Sequence, residues 1–119
     1  MISPIKIIEL SGFFNANKGD ELTVEIKDIA DTKKIEILLL DMKNVNFIDS
    51  SGLGALAKVK KIINQTNTKL FLCSLNDQVR ILFEMTHMDS IIKILKDREE
   101  FEQEILVHHG VNKPTISNS

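Results

Sequence analysis

Short apolar runs and stretches of helical period take turns along this chain, and that alternation leaves few folds open to it. Ile5 to Leu10 is apolar except at Lys6 and Glu9 and stops at Ser11-Gly12, which predicts a strand. From Asn15 or Ala16 the period changes, with Leu22, Ile26 and Ile29 on one face and Glu21, Glu25, Lys27 and Asp28 on the other, as in an amphipathic helix. Gly19 inside it costs about 1 kcal/mol against alanine, so a start near Asn17 to Asp20 is the alternative. Ile35 to Leu40, whose one charge is Glu36, reads as a strand covered on both faces. Asn44 and Asn46 predict a turn, after which Val45, Phe47 and Ile48 return to the sheet.

Leu53, Leu56, Val59 and Ile63 predict a second helix that Asn64-Gln65-Thr66-Asn67 ends. Lys69 to Cys73 is the next strand, and Ser74 followed by Asp77 can cap a third helix carrying Leu75, Val79, Leu82 and Phe83. Ile91 to Leu95 is a last short apolar run, and Asp97 to His109 a fourth helix seated by Phe101 and Ile105. The expectation is an α/β domain, with about four strands in a mostly parallel or mixed sheet, about four helices and right-handed crossovers. It should occupy residues 1–109, with 110–119, which lack periodicity, as a flexible C-terminal tail.

Composition narrows the function. Hydrophobic residues at 43% and charged residues at 27% can build a core without a metal or disulfide staple. Cys73 is the single cysteine, and no signal-type segment stands near Met1, so the chain reads as cytoplasmic. No apolar run approaches the roughly 20 residues needed to span a bilayer, so no membrane insertion is expected. A net charge of -2 offers no basic field for direct nucleic-acid binding, and the lysines at 33, 34, 58, 60 and 61 read as solvated faces.

The segment Asp49-Ser50-Ser51-Gly52-Leu53-Gly54 concentrates the chemistry. A carboxylate and two hydroxyls fall where a strand gives way to a helix, so Ser50 or Ser51 can cap free amide groups. A phosphate there would meet the same amides and the positive end of the helix dipole. Gly52 and Gly54 would leave the surface bare around the hydroxyls; the plainer reading is an ordinary cap with a tight turn. Serine hydrolysis lacks a base, since the histidines are His87, His108 and His109, and the nucleophile-elbow glycine two residues before the serine is missing. Asp41 ends a buried strand, but Leu10-Ser11-Gly12 lacks the acids of a phospho-aspartate receiver, so Asp41 is expected to cap the following turn. No Gly-rich run ends in Lys-Ser or Lys-Thr, which removes a phosphate loop. Neither a catalytic residue, a cofactor nor a metal site is expected, and Cys73 reads as a small core residue.

The run Phe47-Ile48-Asp49-Ser50-Ser51-Gly52-Leu53-Gly54 resembles the signature of STAS domains, specifically the bacterial anti-sigma factor antagonists. Leu72-Cys73-Ser74-Leu75 with Val79, Ile81-Leu82 and Thr86-His87-Met88-Asp89 is similar to the family's third-helix region, and Asp97-Arg98-Glu99-Glu100-Phe101 to the start of its last helix. The resemblance implies that Ser51 is phosphorylated by a partner that is both anti-sigma factor and serine kinase. It implies that the unmodified form binds this kinase to free a sigma factor, and that a PP2C-type serine phosphatase restores the unmodified form. Asp49, Ser50, Ser51, Gly52, Leu53 and Gly54 would form the partner-binding segment, with Ser50 chiefly the cap. The alternative is a regulator of another kinase, phosphatase or two-component pathway.

Two departures from the family pattern bear on the partner. Family members usually carry a short strand before the one at Ile5, and this chain starts too close to it for a full copy. Where the family favours an acid and then Leu-Asp-Ala, this chain has Phe13-Phe14-Asn15-Ala16. The phenylalanine pair could instead bury an apolar patch in a homodimer.

Overall fold

A computed structural model describes residues 4–32 and 35–108. The elements run β1 (Ile5–Phe14), α1 (Ala16–Thr32), β2 (Ile37–Ile48), α2 (Ser50–Ile63), β3 (Lys69–Cys73), α3 (Asp77–Met85), a 3-10 turn (Met88–Ser90), β4 (Lys93–Leu95) and α4 (Arg98–His108). The strands form one four-stranded sheet in the order β1-β2-β3-β4, every neighbouring pair parallel. The expected α/β architecture is therefore the observed one. The expected tail at 110–119 lies outside the described residues.

The all-apolar run at the start of β2 dictates the layering. Ile37, Leu38, Leu39 and Leu40 are all buried, and because side chains alternate across a strand they feed two cores. Leu38 and Leu40 join Leu22 and Ile26 of α1, Leu56 and Val59 of α2, and Val79 and Phe83 of α3 on one face. Ile37 and Leu39 meet Phe101 and Ile105 of α4 on the other, with Phe71 edge-on to Phe101 at 5.6 Å between centroids. Three helices thus cover one face and α4 covers the second.

The helix breaker at Gly19 has a packing reason. It is buried where α1 crosses α2, and a methyl group built on it would overlap the Cβ of Ala55. The cost in helix propensity, about 1 kcal/mol, is set against a close approach that a larger residue would prevent. Helix α1 accordingly starts at Ala16 and runs through Gly19.

Five local expectations are corrected. Strand β1 does not stop at Ser11-Gly12, and β2 does not turn at Asn44 and Asn46. Both continue as a two-stranded ribbon with register shifts between Glu9 and Ser11 and between Gly12 and Phe13, so the turn-forming residues sit in bulges, with Gly12 at φ 72°. Helix α3 is capped by Asn76, whose Oδ1 accepts from the Val79 N–H at 2.9 Å; Ser74, at φ 64°, is not the cap. The run Ile91 to Leu95 is a strand only from Lys93, because the 3-10 turn precedes it. Helix α4 begins at Arg98, one residue past Asp97, whose side chain instead accepts from the Glu100 N–H at 2.9 Å.

Candidate functional site

Strand β2 delivers the candidate segment to the C-terminal edge of the sheet, the side where open α/β sheets place their ligand crevices. Asp49 stands just beyond β2 in extended geometry (φ -110°, ψ -177°), and its Oδ1 accepts from the Gly52 N–H at 2.8 Å. The Asp49 carbonyl accepts from the Leu53 N–H at 2.9 Å, closing the first turn of α2. Asp49, not Ser50 or Ser51, is therefore the N-cap. The carboxylate wins because it accepts without donating and its charge faces the positive end of the helix dipole. Released from capping, Ser50 and Ser51 are both exposed in the first turn, ahead of the first helical donor.

The rest of the segment divides by depth. Gly54 is exposed and a methyl group on it would touch nothing within 4 Å. Gly52 is buried, and a methyl group there would overlap the carbonyl oxygen of Phe14 and press on the Ile48 and Phe14 side chains. Leu53 is buried in the larger core. Gly52 thus seats α2 on the end of β1, and the surface of the segment consists of Ser50, Ser51 and Gly54 beside the half-buried Asp49. Next to it the ribbon carries Phe13 and Phe47, 45% and 46% exposed and packed on each other at 5.2 Å between centroids. Phe14 points into the core. The outward aromatic pair is Phe13 with Phe47, which the adjacency of Phe13 and Phe14 in sequence does not suggest.

A second cluster of functional groups sits on the opposite face. Asp41, 2% exposed, accepts from the Lys43 N–H at 2.9 Å through Oδ1, but inside β2 at its register shift, where the expected turn does not form. Its Oδ2 accepts from Arg98 Nε at 2.9 Å, while Arg98 Nη2 donates to Glu9 Oε2 at 2.8 Å. Asp41 and Arg98 stand 57 residues apart, and no local pattern foretells their meeting; a carboxylate directly after the apolar run Ile37 to Leu40 is the one signal that a cation must come from elsewhere. Cys73, paired in register with Asp41, is fully buried. Burial foremost, with a smaller push from the Asp41 charge, holds its thiol up to about 11 against a pull from Ser74, so the thiol stays protonated and unreactive near neutrality. Among the described residues no group of three or more His, Cys, Asp and Glu could hold a metal ion, and no helix is long and apolar enough to cross a membrane.

A parallel four-stranded sheet with three helices on one face, one on the other, and a carboxylate-capped pair of exposed serines defines a class of small binding domain. The STAS domain family model matches residues 2–101, and the chain belongs to that family. It is 30% identical over 90 residues to an anti-sigma F factor antagonist of Paenibacillus polymyxa, covering 76% of this chain and 77% of that protein. Its fold matches that of the anti-sigma factor antagonist SpoIIAA of Bacillus in the unphosphorylated form, with a TM-score of 0.71 at 15% identity over 87% of this chain and 90% of that one. It also matches the STAS domain of a SulP transporter of Vibrio cholerae, with a TM-score of 0.75 at 14% identity over 92% and 88%. The chain is a regulatory domain related to anti-sigma factor antagonists, and not a catalyst.

Proposed function

We propose that this protein is a phosphorylation-switched antagonist which, unmodified, binds an anti-sigma factor that is also a serine kinase, and releases it when Ser51 is phosphorylated. The observation that carries the reading is the exposed Ser51 hydroxyl in the first turn of α2, beside a capping carboxylate and with the open surface of Gly54 next to it. A kinase can reach that hydroxyl without displacing a side chain from Gly54. The phosphate adds a charge of about -1.5 to -2. The helix N-terminus favours it and the Asp49 carboxylate opposes it, so the modified form persists while repelling a partner surface matched to a neutral hydroxyl. Ser50, Gly54 and Asp49 complete the docking face, and Gly52 and Leu53 support it from below. A PP2C-type serine phosphatase would reset the switch.

The related anti-sigma F factor antagonist of Paenibacillus polymyxa supports a sigma-factor pathway. The Phe13–Phe47 pair supports the second reading, in which the partner is a kinase or phosphatase of another response pathway, because it adds an aromatic patch to the same end of the sheet. A homodimer through that patch is the third.

The test is a parallel capture from native cytosol with wild type, Ser51→Ala and Ser51→Glu, followed by phosphorylation with the captured kinase and phosphopeptide mapping. Alanine should retain a kinase at least as well as wild type, glutamate should retain it less well, and the phosphate should map to Ser51. Equal retention by three folded variants, or a phosphate confined to Ser50, refutes the switch. The identity of the retained kinase decides between the pathways, and sedimentation velocity of wild type against Phe47→Ser tests the dimer.

A further inference from the structure

Strand β1 is an edge of the sheet, and among the described residues it pairs only with β2. The Pro4 carbonyl accepts from the Ile37 N–H at 3.3 Å. Backbone groups alternate sides along a strand, so those of Ile5, Ile7 and Glu9 point away from β2. Natural sheets guard such edges with charge, proline or a covering element. Here the charges along the edge are Lys6 and Glu9, and the Glu9 carboxylate is drawn across to Arg98.

Beside this edge a groove of about 200 Å³ runs between β1 and α1. Its floor is apolar, built on Ile8 and Leu10 of the strand and Leu22 of the helix. Its α1 wall carries Glu21 and Glu25, one turn apart and both exposed, and neither has an ion pair among the described residues. Lys18 is the one basic side chain in the lining, against those two acids and Glu9.

We propose that this edge is the docking site of an extended, basic segment of a partner protein, which adds to the sheet as a new strand beside β1. Its backbone pairs with the outward groups of Ile5, Ile7 and Glu9. Its alternate apolar side chains lie on Ile8 and Leu10, and a Lys or Arg meets Glu21 and Glu25. Charge decides against a second copy as the occupant. Two β1 strands related by a two-fold axis would pair antiparallel with both α1 helices on the same side of the joined sheet, turning Glu21 and Glu25 of each copy toward the other. The same carboxylates that repel a second copy attract a basic strand. The proposal does not depend on Ser51.

The probe is a displayed library of random nine-residue peptides, selected on the full chain. Selected peptides should alternate apolar residues with Lys or Arg, and a synthetic copy should slow amide exchange at Ile5, Ile7 and Glu9. Glu21→Lys/Glu25→Lys, changed only at exposed positions, should lose roughly tenfold or more in affinity, equivalent to about 1.4 kcal/mol. Ile7→Pro, which removes one outward N–H at a position where edge strands tolerate proline, should lose a similar factor; if it fails to fold, the charge-reversed pair still decides. Selection without a basic pattern, undiminished affinity for the charge-reversed variant, or protection of other amides overturns the proposal. So does contact of residues 109–119 with β1 in the free chain, or a dimer that the Ile7→Pro chain no longer forms, because each gives the edge a different occupant.

Discussion

Asp41 and Asp49 lie within and just after the same strand, and each spends its charge differently. Asp49 holds an amide three residues away and stays half-exposed, leaving two free hydroxyls in front of it. Asp41 is buried and holds a guanidinium 57 residues away, which ties α4 to the sheet. The first arrangement is local and can meet a partner; the second is long-range and closed to one. A carboxylate in or just after a sheet strand is therefore no mark of function by itself, and what it faces decides its role.

The contrast should show most strongly in Arg98→Met. Removing the guanidinium leaves Asp41 buried without its cation, and urea unfolding should register a loss of about 3 kcal/mol, the lower end of what breaking a buried pair costs. The Arg98–Glu9 arm, with Glu9 half in water, supplies only a small part of that. A loss below about 1 kcal/mol would show that the cluster behaves as a surface pair.

The two glycines of the serine segment should part company next. Gly52→Ala forces a methyl group against the Phe14 backbone and should cost about 1 to 3 kcal/mol. Gly54→Ala meets open space and should raise stability by up to about 1 kcal/mol. If the proposed docking face is right, it should also weaken kinase retention. Matching stability changes of one sign for both would mean that α2 sits differently on β1.

Asp49→Ala should cost about 1 kcal/mol through the lost cap, with Asp49→Ser recovering most of it in the same urea titration. A Ser-capped variant no more stable than the alanine variant would shift the credit from hydrogen bonding to charge.

The smallest effect is a pH dependence. The Cys73 thiol is raised from 9.0 to about 11 in the folded chain. Its contribution is therefore whole below pH 9 and fades as pH rises through about 11, since the unfolded chain ionises first. The stability difference between wild type and Cys73→Ala should shrink between those values and stay flat below them. A difference that grows with pH reverses the sign and removes burial as the cause.

What the sequence shows plainly is what neighbours in sequence decide. Ile35 to Leu40 reads as a strand covered on both faces and Lys69 to Cys73 as a strand rich in Leu and Phe; the fold starts the first at Ile37, leaving Glu36 exposed, and Leu22, Ile26 and Ile29 show a helix stripe that the fold uses as read. The serine segment is legible as a strand-to-helix junction. Its depth is not, because Gly52 is buried by Phe14, which comes from another element. Asn44 and Asn46 mislead for a physical reason. Turn residues also suit bulges, and Asn76 of the α3 cap donates through Nδ2 to the carbonyls of Val45 and Asn46, at 3.2 and 3.1 Å, past the point where the pairing of β2 with β3 ends at Asp41 and Cys73. The sequence gives the cap to Ser50 or Ser51, chiefly Ser50, but aspartate caps a helix equally well and the structure gives the role to Asp49.

The close crossing at Gly19 and Ala55 bears on how any message at Ser51 can be carried. With α1 pressed directly on α2 at Gly19 and Gly52 seated on the backbone of β1, the helix that carries the hydroxyl is pinned at two points. A scaffold held in this way transmits little by displacement. If Ser51 takes the proposed phosphate, a partner would read it as a changed electrostatic field on a fixed shape, with the rest of the domain as the mount that keeps that shape still.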